Sequence, residues 1–333
     1  MSAIQGLVHV HPLVILSIAL SSGPLLVNAA LAQDYPTRTI RIVVAQAPAS
    51  GPDMVARTLA QKLTEAWGQQ VVVENRPGAN GIIGGEAVAR AKPDGYTLLI
   101  GVPSAITMNP FVYRQMPYDP LRDLVPVSQI ATNTFGLVVT SSLPASSVKA
   151  LVALARARPG ELLYASAGLA NQTHLAGELF ASAVGVKMVH VPYKGSTPAW
   201  TDLISGQVAL MFTSTQGVTG HVKAGKLRLL ATLGSKRAAA FPAVPTVVES
   251  GYPTVEITGW TGLFAPAATP ADVVGKLAKE LARALGDADV RERMAADGAE
   301  PSPSSPQAFA AFVKAEAAKW SKVIRAAGLE NSQ

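Results

Sequence analysis

Cysteine is absent from this 333-residue chain, which removes disulfides, thiolate nucleophiles and cysteine-ligated metals from consideration. A lipid anchor on an N-terminal cysteine is excluded with them. Aromatic residues make up only 6% of the sequence, and Lys and Arg are scattered singly despite a net charge of +6. Nucleic-acid binding needs a clustered basic stripe, with rings for stacking, so no nucleic-acid partner is expected. That charge is better suited to drawing in small anions.

Catalytic signatures are missing too. The chain has no G-x-S-x-G elbow and no H-E-x-x-H helix. Beyond the N-terminal segment the histidines are His174, His190 and His221, none with a second metal-type ligand at a recognised spacing. Each reads as a surface or satisfied core histidine, and neither a metal nor a cofactor is expected. Two glycine patterns fail on inspection. Gly220 to Lys226 mimics a phosphate loop, but Leu227 stands where a magnesium-binding hydroxyl belongs. Gly78-Ala79-Asn80-Gly81-Ile82-Ile83-Gly84 has the wrong spacing for a dinucleotide fingerprint and reads as a tight strand-to-helix connection.

The first 32 residues carry no Lys, Arg, Asp or Glu. Their apolar block, Leu13 to Leu20, is followed by Ala30-Leu31-Ala32 immediately before Gln33. Residues 1–32 are therefore read as a secretory signal cleaved before Gln33, although the amino end offers only His9 and His11 where Lys or Arg is usual. A membrane anchor is the competing reading; the block breaks at Ser21-Ser22-Gly23-Pro24 and is too short to span a bilayer. Roughly 300 residues remain, enough for two domains with buried cores.

From Tyr35 to Gly101, β-branched runs alternate with helical stretches. Ile40 to Val44 leads into Pro48-Ala49-Ser50-Gly51-Pro52-Asp53 and then a helix marked by Val55, Leu59 and Leu63 that ends at Gly68. Strands at Val71 to Val73 and Thr97 to Ile100 continue the pattern, which implies parallel strands with helices on both faces. Further apolar runs lie at 136–139, 162–164, 188–191, 208–212 and 227–231, with helices over 147–157, 173–184 and 198–204. Thr269-Pro270 and Ser305-Pro306 open two long C-terminal helices. The layout is two α/β domains, residues 33–132 with 253–333 forming the first and 133–252 the second.

Ordered along the exported portion are Tyr35-Pro36, Glu74-Asn75-Arg76-Pro77-Gly78-Ala79, Pro93-Asp94-Gly95-Tyr96-Thr97-Leu98, Asn109-Pro110 and Pro117-Tyr118-Asp119-Pro120. His174 to Phe180, Val191-Pro192-Tyr193-Lys194-Gly195 and Gly225-Lys226-Leu227-Arg228 follow. In these elements the chain resembles the Bug-type periplasmic solute receptors of tripartite tricarboxylate transport systems. The resemblance implies a two-lobed, Venus-flytrap receptor with a hinge, holding a small organic carboxylate in its cleft and delivering it to membrane permease subunits. It implies a periplasmic location, and a monomer is expected. Members usually carry two glycines after the proline of the first loop; Ala49 and Ser50 stand there.

The residues supply a physical basis for such a site. A helix start presents unpaired amides and roughly half a positive charge, so a carboxylate held there needs no lysine. Ser50-Gly51, Asn171-Gln172-Thr173 beyond Ser166, and Gly195-Ser196-Thr197 before Pro198 each join small or hydroxylated residues to a helix. Ser104 lies just past the 97–100 strand, at the end where open α/β sheets bind ligands. With Ala49 and Tyr193 these are the candidate ligand-binding residues. Helix capping explains any single one equally well. Tyr193 and Trp200 suit either a cleft wall or a core; Asp53 reads as structural, with a ligand ammonium as its alternative partner. A secreted hydrolase or lyase acting on a carboxylate is the rival function, and it lacks a nucleophile, base or metal.

Overall fold

The computed structural model describes residues 35–296 and 298–332; the expected signal peptide and its cleavage point lie outside the described residues. The first part runs β1 (Ile40–Val44), α1 (Gly51–Trp67), β2 (Val71–Asn75), α2 (Ile82–Ala89) and β3 (Thr97–Gly101). β1 lies between β2 and β3, parallel to both. Val55, Leu59 and Leu63 recur on one face of α1 and are buried with Ile40 and Ile42 of the sheet, as their helical spacing demands. Gly68 ends the helix in the left-handed conformation, its amide bonded to the Thr64 carbonyl.

Short helices α3 (Asn109–Val112) and α4 (Pro120–Asp123) lead into β4 (Leu124–Thr140), a strand of 17 residues. From there the chain makes α5 (Val148–Ala157), β5 (Leu163–Ser166), α6 (Gln172–Val184), β6 (Val189–Pro192) and α7 (Ser196–Ser205). Next come β7 (Leu210–Ser214), α8 (Thr215–Lys223) and β8 (Leu227–Thr232). The last stretch holds β9 (Thr258–Pro266), α9 (Ala271–Gly286), α10 (Ala288–Ala296), β10 (Glu300–Pro301) and α11 (Pro306–Ala326).

Strand order is β2-β1-β3-β9-β4-β7-β5-β6, with β8 and β10 also paired to β4. β4 serves two halves: Leu124 to Thr134 pair with β9, and Phe135 onward pairs with β7 and β8. The result is a two-lobed α/β architecture joined through its longest strand. The parallel expectation holds within each lobe, for β1 with β2 and β3 and for β5 with β6 and β7. It fails at the join, where β9 runs antiparallel to β3 and β4, and β4 antiparallel to β7 and β8. β9 carries the chain back alongside the strand that took it across, so those two directions must oppose.

A packed cluster under the start of α6 stiffens the second lobe. The buried His174 ring stacks on His190 of β6 with centroids 3.6 Å apart and planes 9° from parallel. Tyr164 of β5 flanks both rings, and its hydroxyl bonds Glu178. His190 Nε2 lies 2.6 Å from the Ser166 hydroxyl. Burial, reinforced by neighbouring His174 and opposed by Glu178, holds His190 down to about 4. In the unfolded chain a histidine takes its proton near pH 6.5, so the contribution of neutral His190 is complete above that value. It is lost as pH falls toward 4, because the unfolded state binds the proton first. His190→Gln keeps a side chain that can donate to or accept from Ser166 without a charge change. Urea unfolding at about pH 7.5 and about pH 4.5 should show a smaller acid loss for this variant than for the wild type; equal losses would remove His190 as the cause.

Candidate functional site

Between the strand ends lies a cavity of about 530 Å³, within the roughly 300–1,000 Å³ usual for small-molecule sites. Asn133 and Phe135 of β4 line it on either side of Thr134, the point at which that strand changes partners. The starts of α1, α6, α7 and α8 also contribute.

On α1, Pro52 sits in the first turn and Ser50 is the N-cap, yet no side chain caps the amides. The Ser50 hydroxyl is buried and has no protein partner. Ala49 is left-handed, φ 61°, a conformation that costs a residue with a β-carbon about 1–2 kcal/mol. Its amide donates to Asp53 Oδ2 at 2.8 Å, and Arg57 Nε donates to the same oxygen at 3.0 Å. Asn75 Nδ2 donates to Asp53 Oδ1 at 2.9 Å and to the Gln46 carbonyl at 3.2 Å. Burial alone would raise the Asp53 carboxyl, but these donors together hold it below its ordinary value. Its charge is thus spent inside the fold, the structural role read from the sequence.

α6 starts differently. Asn171 Oδ1 accepts from the amides of Thr173 and His174 and from the Thr173 hydroxyl, at 3.0, 3.1 and 2.7 Å. The Thr173 oxygen in turn accepts from the Ala167 amide at 2.8 Å. Thr173 lines the cavity, but its hydrogen is committed to Asn171 and its loss would strand an amide. α7 follows Gly195, φ 105°, and α8 follows Ser214; neither has a side-chain cap. The Ser214 hydroxyl is buried and unpartnered. Gly217 lets α8 approach Trp200: a β-carbon there would lie 2.1 Å from the indole.

Of the sequence candidates, Ala49, Gly51, Ser104, Asn171, Thr173 and Ser196 meet at the cavity, with Trp200 on its wall. Ser50, Ser166, Tyr193, Gly195 and Thr197 are not among its lining residues. Ser166 is fully buried and bonded to His190 and to Gly168. Tyr193 donates to Asp202 at 2.7 Å, and burial followed by that carboxylate pushes its phenol up to about 12. Thr197 is exposed, its carbonyl accepting from the Thr201 hydroxyl. Gln172, within the named Asn171-Gln172-Thr173 start, lines the cavity too; sequence reasoning missed Gln46, Asn133, Gln216, Trp260 and Thr261, which also line it. Only the α8 start carried a usable signal, Ser214-Thr215 directly after an apolar run. No Lys, Arg, His, Asp or Glu is among the lining residues.

The arrangement therefore offers neutral donors, backbone amides and aromatic walls to a small polar molecule. Nothing in it attacks a bond. The Ser166–His190 pair, superficially a nucleophile and base, lies beneath the lining and does not reach it. Among the described residues no three His, Cys, Asp or Glu side chains gather to hold a metal.

Known proteins agree with this picture. Residues 55–329 match the Tripartite tricarboxylate transporter family receptor, TctC. Protein BugT of Bordetella pertussis is 40% identical over 298 residues, 89% of this chain and 91% of that protein. Among solved structures, R. palustris Rpa4515 with adipate shares 40% identity and a TM-score of 0.78, covering 89% of this chain and 99% of that one. MatC from Rhodopseudomonas palustris with bound malate shares 30% identity at a TM-score of 0.75, covering 87% and 100%. These relatives are receptors and not enzymes, which leaves the hydrolase or lyase reading without support. By sequence, fold and cavity, the chain belongs to the tripartite tricarboxylate transporter receptor family, as a solute-binding protein of the Bug type.

Proposed function

We propose that this protein is exported, loses residues 1–32 before Gln33, and in the periplasm holds a small organic carboxylate for delivery to permease subunits of a tripartite tricarboxylate transporter. The observation that carries the reading is the set of uncapped helix starts, on α1, α7 and α8, around a cavity with no charged side chain. Such starts are anion sites made of backbone. Carboxylates in two relatives, adipate in Rpa4515 and malate in MatC, support the ligand class. The lobes are read as 33–132 with 253–333 and 133–252, closing about the strands that join them. The switch of β4 partners between Thr134 and Phe135 supports the first boundary. The receptor acts as a monomer.

Titration calorimetry of the mature protein with adipate, malate, succinate and benzoate tests the ligand class. Saturable binding of at least one acid, with the acid recovered unchanged, is the expected result. No binding to any of them, or conversion of one, would refute the reading. Intact mass of the protein recovered from the periplasm tests processing, with Gln33 expected as the first residue and an uncleaved amino terminus counting against it.

Gln216→Glu places a carboxylate in the first turn of α8, where it complements the helix dipole by about 0.3–1 kcal/mol. The same charge enters the cavity and opposes an anion there. Thermal stability should hold or rise while affinity for the bound acid falls about tenfold or more. Unchanged affinity would mean the acid sits away from α8.

A further inference from the structure

The two loops that face the cavity are built by the same device, although no sequence similarity joins them. In the first lobe β1 leads through left-handed Ala49 and N-cap Ser50 into α1, and the third helical residue, Asp53, takes the Ala49 amide at 2.8 Å. In the second lobe β5 leads through left-handed Ala170, φ 55°, and N-cap Asn171 into α6. There the third helical residue, His174, takes the Ala170 amide on Nδ1 at 2.9 Å.

The correspondence extends one step further. Each bracing side chain leans on the strand that neighbours its own: Asp53 on Asn75, the last residue of β2, and His174 on His190 of β6. Each neighbour reaches back to its loop or strand end, Asn75 to the Gln46 carbonyl and His190 to Ser166. A left-handed residue with a β-carbon relaxes unless something over-determines it. Here a side chain four residues on does so, twice.

We propose that Asp53 and His174 are matching positioning residues, each of which fixes, through the amide of a left-handed alanine, the loop that carries its helix start to the cavity. What each supplies is an acceptor at one point. One is a carboxylate and the other an imidazole whose proton must lie on Nε2, so charge is not the shared property. The part concerning ligand rests on the carboxylate reading above; the part concerning the loops does not.

Amide exchange by NMR on the ligand-free protein separates the two. Asp53→Ala should speed exchange at Ala49 about tenfold and leave Ala170 alone, and His174→Ala should do the converse. Asp53→Asn and His174→Asn keep an oxygen acceptor for the Ala49 and Ala170 amides and should hold exchange there well below that of the alanine variants, although at position 53 the new NH2 faces the Asn75 donor. Unaltered exchange in the alanine variants, or loss of protection in the asparagine variants, would overturn the proposal. If an alanine variant fails to fold, its asparagine counterpart decides alone. Calorimetry with adipate then reads the consequence for binding. Affinity should fall about tenfold in the folded alanine variants and stay at wild type in the asparagine ones, whereas full affinity despite a loosened loop would overturn the positioning role. Wild-type protein that binds neither adipate nor the other acids would count against the carboxylate reading, with the exchange measurements still deciding the braces.

Discussion

The opening turn of every α-helix leaves backbone amides without partners inside the helix. Where that turn is buried, something outside must meet them. α6 meets its own need through Asn171, and α1, α7 and α8 do not. All four begin at one cavity, so the unmet donors share a destination. The dipoles add roughly half a positive charge at each start, held in place by the backbone itself. An anion gains from donors that need no rearrangement, and a receptor built this way avoids burying a lysine whose desolvation would offset much of the attraction.

The placement of those starts follows from one strand. Because β4 pairs with β9 up to Thr134 and with β7 and β8 from Phe135, the lobes meet where its partners change. Strand ends from both lobes point toward that junction, and the helices that follow them open onto it. Gly262 lets β9 take its central position: a β-carbon there would lie 2.1 Å from the Phe309 ring of α11. The residues that line the cavity on β4 and β9 thus lie on the two strands that join the lobes.

Period-based reading recovered most strands and helices inside each lobe, since alternating parallel units put their apolar residues at fixed intervals. It failed where that pattern breaks. Only Gly136 to Val139 of β4 stood out, because Pro126, Ser128, Gln129, Thr132, Asn133 and Thr134 interrupt the earlier part. β9 went unseen because Gly259 and Gly262 punctuate it. These are the strands that join the lobes, so within-lobe topology was legible and the antiparallel join was not. At the site, small and hydroxylated residues before helices led to Gly51, Thr173 and Ser196. They led equally to Ser166 and Thr197, which do not line the cavity, since composition does not say which way a side chain turns. Gln46 and Asn133 carry no local signal at all; only folding brings them to the cavity.

The first loop carries Ala49 and Ser50 where the resemblance leads one to expect paired glycines, and the structure gives each residue a different consequence. Glycine enters the left-handed region freely, whereas alanine is strained there. The Asp53 carboxylate, already charge-balanced by Arg57 and oriented by Asn75, offsets that strain through the Ala49 amide. In exchange the loop has fewer conformations to lose when a ligand arrives, a gain that glycines forgo. Ser50 has no such compensation. Its hydroxyl is buried and meets no other protein group, so it does not brace the loop as the Ala49 amide does. Ala49 therefore bears on the shape of the loop, whereas Ser50, with its hydroxyl buried away from the lining, adds no contact to the cavity.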